Sequence, residues 1–136
     1  MKGVVFLSHK NNIMVCVTQQ KTCERLIKQA HKMIENSSGN LFVVHVVKND
    51  SKFLGNDKEG EALEYLFGIS KSVGANLSVL RADSVSQTLV DYAFENKIDS
   101  IVLGESTDSN SENKFYIKLS EKLPNINIIV VPQNEF

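Results

Sequence analysis

Five short apolar runs divide the chain: Ile13–Thr18, Leu41–Val47, Asn76–Arg81, Ser100–Gly104 and Ile126–Val131. Ile13-Met14-Val15-Cys16-Val17 is apolar without interruption, the pattern of a strand buried on both faces of a parallel sheet. Asn76-Leu77-Ser78-Val79-Leu80-Arg81 alternates instead, which suits a half-exposed edge strand. Between the runs, the apolar period changes to three and four. Cys23, Leu26, Ile27, Ala30, Met33 and Ile34 mark a helix over Gln20–Asn36. Ala62, Leu63, Leu66, Phe67, Ile69 and Val73 mark a second from about Lys58, closed by Gly74. Val85, Leu89, Val90, Ala93 and Phe94 mark a third, capped by Asp83 or Ser84. A polar loop is expected over Asp108–Asn113, and then a last helix carries Phe115, Tyr116, Leu119 and Leu123 up to Pro124. Gly39 reads as the glycine that ends the first helix.

The order β-α-β-α-β-α-β-α-β, with connections long enough for crossovers, predicts an α/β fold. The expected architecture is a five-stranded parallel sheet, doubly wound in the order 3-2-1-4-5, formed by residues 13–136. Residues 1–12 read as a leader, whose run Val4-Val5-Phe6-Leu7 fits an extra edge strand, a dimer contact or a disordered segment equally well. In such a sheet ligands bind outside the carboxyl ends of the strands where the order reverses. That rule brings Val17-Thr18 and Gly104 to one crevice, with Ser106 and Thr107 following in a hydroxyl-rich loop able to bond phosphate oxygens.

Composition narrows the function classes. Fifteen basic against sixteen acidic residues leave no electrostatic footprint for nucleic acid or an anionic membrane. Cys16 and Cys23 fall at apolar positions and form neither a metal pair nor a disulfide framework, so they read as buried thiols of a cytoplasmic protein. His45 lies inside a buried-type strand and reads as a satisfied core residue, and His9 and His31 show no metal-ligand spacing. No nucleophile elbow, P-loop or HExxH motif is present, which leaves hydrolase and kinase chemistry without residues. The basic stripe Lys21, Arg25, Lys28 and Lys32 reads as a solvated helix face.

Several stretches carry a resemblance in their order and spacing: Val15-Cys16-Val17-Thr18, Glu24-Arg25-Leu26-Ile27, Val44-His45-Val46-Val47, Arg81-Ala82-Asp83 and Ile101-Val102-Leu103-Gly104. Over Ile13–Pro132 the chain resembles the universal stress protein family, and within it the domain carried by potassium-sensing histidine kinases of the KdpD type. The resemblance implies a nucleotide-binding α/β fold, commonly a homodimer through the last strand, and a regulatory rather than catalytic role. It implies ATP or a related adenine nucleotide as ligand, with the base near Val17, Thr18 and Val46 and the phosphates on the loop after Gly104. That loop departs from the family's G-x2-G-x9-G-[ST] pattern, because Thr107, Ile117 and Lys118 stand at the second glycine, the third glycine and the hydroxyl position. A Cβ at such points obstructs the close backbone approach of a phosphate cradle.

Cyclic di-AMP is a second ligand implied by resemblance to KdpD-type domains, through Ser84-Val85-Ser86 and the adjoining Asp83. Phe115 and Tyr116 are candidates for stacking on a base. The expected output is an altered association with another copy, a sensor kinase or another signalling protein, in potassium or osmotic stress. The rival expectation is an interaction module without a ligand.

Overall fold

The computed structural model describes residues 11–18, 20–35, 37–50, 52, 54, 58–104 and 109–132. Residues 1–10, and Ser106 and Thr107 of the expected phosphate loop, lie outside this set.

Burial accounts for the strands. β1 (Ile13–Cys16) is buried along its whole length, and β2 (Leu41–Lys48) and β4 (Ser100–Gly104) nearly so. A strand covered on both faces has no solvent side, so its sequence runs apolar without alternation. β3 (Asn76–Ala82) and β5 (Asn127–Val131) are half-buried and take the two edges. All pairings are parallel and the order is β3-β2-β1-β4-β5, as the alternation predicts.

Among the described residues four helices cover the sheet: α1 (Gln20–Ile34), α2 (Glu59–Ser72), α3 (Val85–Glu95) and α4 (Ser109–Lys122). On one face Cys23, Leu26 and Ile27 of α1 and Ala62 and Leu66 of α2 pack over Val15, Val17 and Val43. On the other, Leu89 and Ala93 of α3, Leu119 of α4 and Leu123 just past its end pack over Met14, Val44, Ile101 and Leu103. Phe115 joins this second core while Tyr116 is exposed, so only the tyrosine is free for another use. Both cysteines are buried and neither is in a disulfide, and burial pushes Cys16 up to about 12 and Cys23 to about 11.

Two boundaries differ from the sequence reading. The residues from Ser109 to Asn113, expected as loop, form the first turns of α4. Polarity misled there: Ser109-Asn110-Ser111-Glu112 has the S-x-x-E spacing that favours a helix N-terminus. At α1 the helix closes before Gly39, through the Ser37 amide donating to the Ile34 carbonyl at 3.0 Å. Gly39 serves a close crossing instead, since a Cβ on it would overlap the Asn11 backbone. Gly74 does end α2 as expected, with φ +69° and its amide bonded to the Lys71 carbonyl at 3.1 Å.

Asn12, counted with the leader in the sequence, is built into the amino end of the sheet. Its amide donates to Asp99 Oδ2 at 2.8 Å, and its carbonyl accepts from the Asp99 amide at 2.8 Å and the Ser100 amide at 3.2 Å. Its side-chain Oδ1 accepts from the Asn40 amide at 3.1 Å, while Nδ2 donates to the carbonyls of Asn96 (3.3 Å) and Lys97 (3.2 Å).

Candidate functional site

β1 and β4 are hydrogen-bonded neighbours, yet the chain leaves them to opposite faces: β1 feeds α1 on one core, β4 feeds α4 on the other. In open α/β sheets such a divergence is where a ligand crevice forms, at the carboxyl end of the pair. The register Ile13↔Ser100, Met14↔Ile101, Val15↔Val102 continues to bring Val17 level with Gly104. Val17 and Gly104 are therefore level at the strand ends, with Thr18 one position beyond.

What this crevice offers is mainly backbone. Val17 and Val46 bury their side chains in opposite cores, while Thr18 is exposed at the rim. The Val17 amide donates to the Val44 carbonyl at 3.0 Å, so Val44 turns its peptide groups toward β1. In a parallel ladder alternate residues face the same neighbour. Val46 consequently aims its N–H and carbonyl to the same side, above the last rung of β1. Gly104 is half-buried, lies opposite Val131, and has a φ outside the left-handed region. Leu26 of α1 fills the space its side chain would take: a Cβ there would meet Leu26 Cδ1 at 3.0 Å. Helix packing is thus one reason for glycine at this point.

His45 ties the crevice's other side together. It is 3% exposed, its Nδ1 lies 2.7 Å from the Val17 carbonyl, and its Nε2 is 2.9 Å from the Leu54 amide. A carbonyl can only accept and a backbone amide can only donate. The ring is therefore neutral, with its proton on Nδ1. Burial holds its pKa below the ordinary histidine value, the Val17 bond pulls the other way, and Arg81 on β3 adds a smaller lowering. Leu54 is buried and left-handed, with φ +52°. The sequence reading of His45 as a satisfied core residue holds, but the tethering of Leu54 was missed. The available signal was a leucine embedded in the polar stretch Lys48–Lys58.

Asp83, Ser84 and Ser86 form a separate group past β3. Asp83 Oδ1 accepts from Asn49 Nδ2, and Ser84 is the N-cap of α3, its Oγ accepting from the Gln87 amide at 3.3 Å. Ser86 is half-buried in the first turn. β2 and β1 stand between β3 and β4. At ~4.8 Å per strand, β3 and β4 run roughly 14 Å apart. The structure therefore divides the expected ligand residues into two clusters. Among the described residues no group of acidic, histidine and cysteine side chains is arranged to hold a metal ion.

Similar proteins agree with this architecture. The universal stress protein UspA of Lactobacillus plantarum superposes with a TM-score of 0.68 at 21% identity, over 91% of this chain and 99% of its own. The Archaeoglobus fulgidus universal stress protein in complex with dAMP gives 0.62 at 20% identity, over 88% of this chain and 96% of its own. The fold is that of a universal stress protein. In sequence, the chain is 29% identical over 107 residues to the sensor protein KdpD of Mycobacterium tuberculosis, a match covering 78% of this chain. That match takes in only 12% of KdpD, so the chain corresponds to one short section of that sensor protein. No family model matches the chain. The resemblance read from the strand ends stands on these two likenesses, one in fold and one in sequence. No helix among the described residues is long and apolar enough to cross a membrane.

Proposed function

We propose that this chain is a universal-stress-type regulatory domain that takes an adenine nucleotide in the crevice between the carboxyl ends of β1 and β4, and acts by changing a protein association rather than by turning its ligand over. The observation that carries this reading is the outward-facing backbone of Val46 beside Val17, at the reversal of strand order. A peptide N–H and carbonyl pair matches the donor–acceptor edge of an adenine ring. The Archaeoglobus fulgidus neighbour, in complex with dAMP, supports the ligand class. In this proposal Val17, Thr18 and Val46 hold the base and Gly104, Ser106 and Thr107 the phosphate side. Because Thr107 replaces a glycine of the family pattern, a monophosphate fits this loop better than a triphosphate.

The likeness to KdpD supports a signalling setting, and potassium or osmotic stress is the proposed one. The proposed partners are a second copy, through the aliphatic edge Ile128–Val131 of β5, and a sensor kinase. The buried thiols fit a reducing, cytoplasmic compartment. Titration calorimetry of nucleotide-stripped protein with AMP, ATP and cyclic di-AMP tests the ligand. Saturable AMP or ATP binding, weakened by Gly104→Asp, is the expected result. Silence toward all three at millimolar ligand overturns it in favour of a ligand-free interaction module. Cyclic di-AMP is the second reading, favoured by the split into two clusters that a two-base ligand would span. It requires Ser84→Ala and Gly104→Asp each to weaken binding.

A further inference from the structure

We propose that His45 is a positioning residue of the crevice, holding the Val17 carbonyl and the Leu54 amide together only while its ring is neutral, so that nucleotide affinity falls on acidification. The affinity half of this inference rests on the nucleotide reading above; the positioning half does not.

The geometry leaves little choice of state. Nε2 accepts from the Leu54 amide at 2.9 Å, and Nδ1 donates to the Val17 carbonyl at 2.7 Å. A second proton on the ring must go to Nε2, where it meets the hydrogen of the Leu54 amide. Two donors then face one another inside a buried site, and the Leu54 contact has to break. Leu54 has no cheap alternative: its φ of +52° suits a residue held from outside rather than one resting in its preferred backbone region. Val17 stands next to Thr18 at the crevice rim, and Val46 follows His45 directly. A proton on the ring therefore disturbs the strand ends that flank the base position on both sides.

The described charged and thiol groups that face His45 do not favour its protonation. β1 presents the Val17 backbone, and Cys16 points into the other core. β3 presents Arg81, a like charge, itself paired with Glu59 of α2 at 3.0 Å. α1 contributes Cys23 on this face, a thiol that burial keeps neutral. Desolvation and Arg81 both oppose the imidazolium, while the hydrogen bond to the Val17 carbonyl favours it.

Two substitutions separate the ring's two bonds. His45→Gln keeps a neutral acceptor at the reach of Nε2 and does not titrate. His45→Asn keeps a donor near Nδ1 but falls short of Leu54. Amide exchange at Leu54 is followed by NMR in the ligand-free protein, and AMP affinity by calorimetry, both between pH 7.5 and 5. In the wild type, Leu54 protection is expected to drop in step with the His45 ring signal. The AMP dissociation constant is expected to rise by up to about tenfold per pH unit, the limit for one coupled proton. The Gln variant also carries whatever titration belongs to AMP itself, so the difference between the two proteins isolates the histidine. It is expected to bind with a flatter profile, and the Asn variant to bind weakly at every pH. Leu54 protection that ignores the ring's titration in the wild type, or an identical affinity profile in the Gln variant, overturns the inference. Absence of AMP binding in all three proteins, with Leu54 still following the ring, overturns the nucleotide reading and its affinity consequence and leaves the positioning role established.

Discussion

At the amino end of the sheet, Asn12 bonds the chain before β1 to Asn40, to Asn96 and Lys97, and to Asp99 and Ser100. At the carboxyl end, His45 joins the Val17 carbonyl to the Leu54 amide. The asparagine side chain has no charge to lose and its three bonds go to backbone groups, whereas the histidine's bonds depend on protonation. One end is thus cross-linked unconditionally and the other conditionally. In open α/β sheets the carboxyl end is where ligands bind, and a site has to yield where a scaffold does not. The difference assigns stability to one end and response to the other, and it can be broken at either.

A pair of glycines gives the largest expected effect. A Cβ on Gly39 would strike the Asn11 backbone, which is itself tied in next to Asn12. A Cβ on Gly104 would meet only the flexible tip of Leu26, at 3.0 Å. Gly39→Ala is expected to cost about 3 kcal/mol and Gly104→Ala less than about 1 kcal/mol. Denaturant unfolding of both variants checks the ranking. Equal losses would mean that the amino end is no more rigid than the crevice.

Asn12→Ala comes next. It removes three side-chain hydrogen bonds while leaving the backbone bonds to Asp99 and Ser100. The site is partly exposed and water replaces some of the loss, so the expected cost is about 2 kcal/mol, read as a lowered denaturant midpoint. Asn12→Asp is the informative companion. It keeps the acceptor for Asn40 but loses the donor to Asn96 and Lys97, and is expected to fall between wild type and alanine.

The pH dependence of stability sharpens the contrast from the other end. His45 takes up its proton at lower pH in the folded protein than in the unfolded chain, because burial opposes the charge. The unfolded chain therefore gains a proton first. This contribution to stability is unchanged well above the ordinary histidine value of 6.5 and is lost as the pH falls below it, levelling once the native ring also titrates. Glu24, held below its ordinary range by the hydrogen bond and charge of Lys28, responds only at more acidic pH. The two windows separate. His45→Gln is expected to flatten the decline beginning near pH 6.5 while leaving the more acidic one in place, whereas Asn12→Ala shifts the whole curve down without changing its shape.

The contrast between the two ends was only partly legible in the sequence. Strand order followed from apolar runs, because a strand buried on both faces leaves a mark at every position. The meeting of Val17 with Gly104 followed from that order. Hydrogen-bond hubs leave no periodic mark: Asn12 sits among polar residues that look like a linker, and its partners, from Asn40 to Ser100, are far along the chain. His45 was readable as a core histidine from its apolar neighbours, but which loop residue it holds depends on a left-handed turn at Leu54, a residue type that does not announce one. Gly39 was recognised as special for the wrong reason. A helix-ending glycine and a glycine at a close crossing look the same in one dimension.

The smallest expected effect probes that same hidden feature at the amino end. Lys97 shares with Leu54 a φ of +52°, in the left-handed region that costs a side-chain-bearing residue free energy. It closes α3, where the Lys97 amide bonds the Phe94 carbonyl at 3.4 Å and the Ile98 amide bonds the Ala93 carbonyl at 3.0 Å. Its exposed side chain contributes no described hydrogen bond, while its carbonyl accepts from Asn12. Lys97→Gly should relieve the backbone cost and keep the Asn12 bond, for a net gain of about 0.5 kcal/mol after glycine's entropy in the unfolded chain is subtracted. The corresponding change at Leu54 has the opposite sign, because it removes a buried leucine along with the strain. The same φ thus predicts a gain at the cross-linked end and a loss at the histidine-held end. Thermal unfolding of the two variants reads both signs in one assay. A loss at Lys97 would mean that the turn depends on its side chain, and the amino end would then owe less to the Asn12 network than its hydrogen bonds indicate.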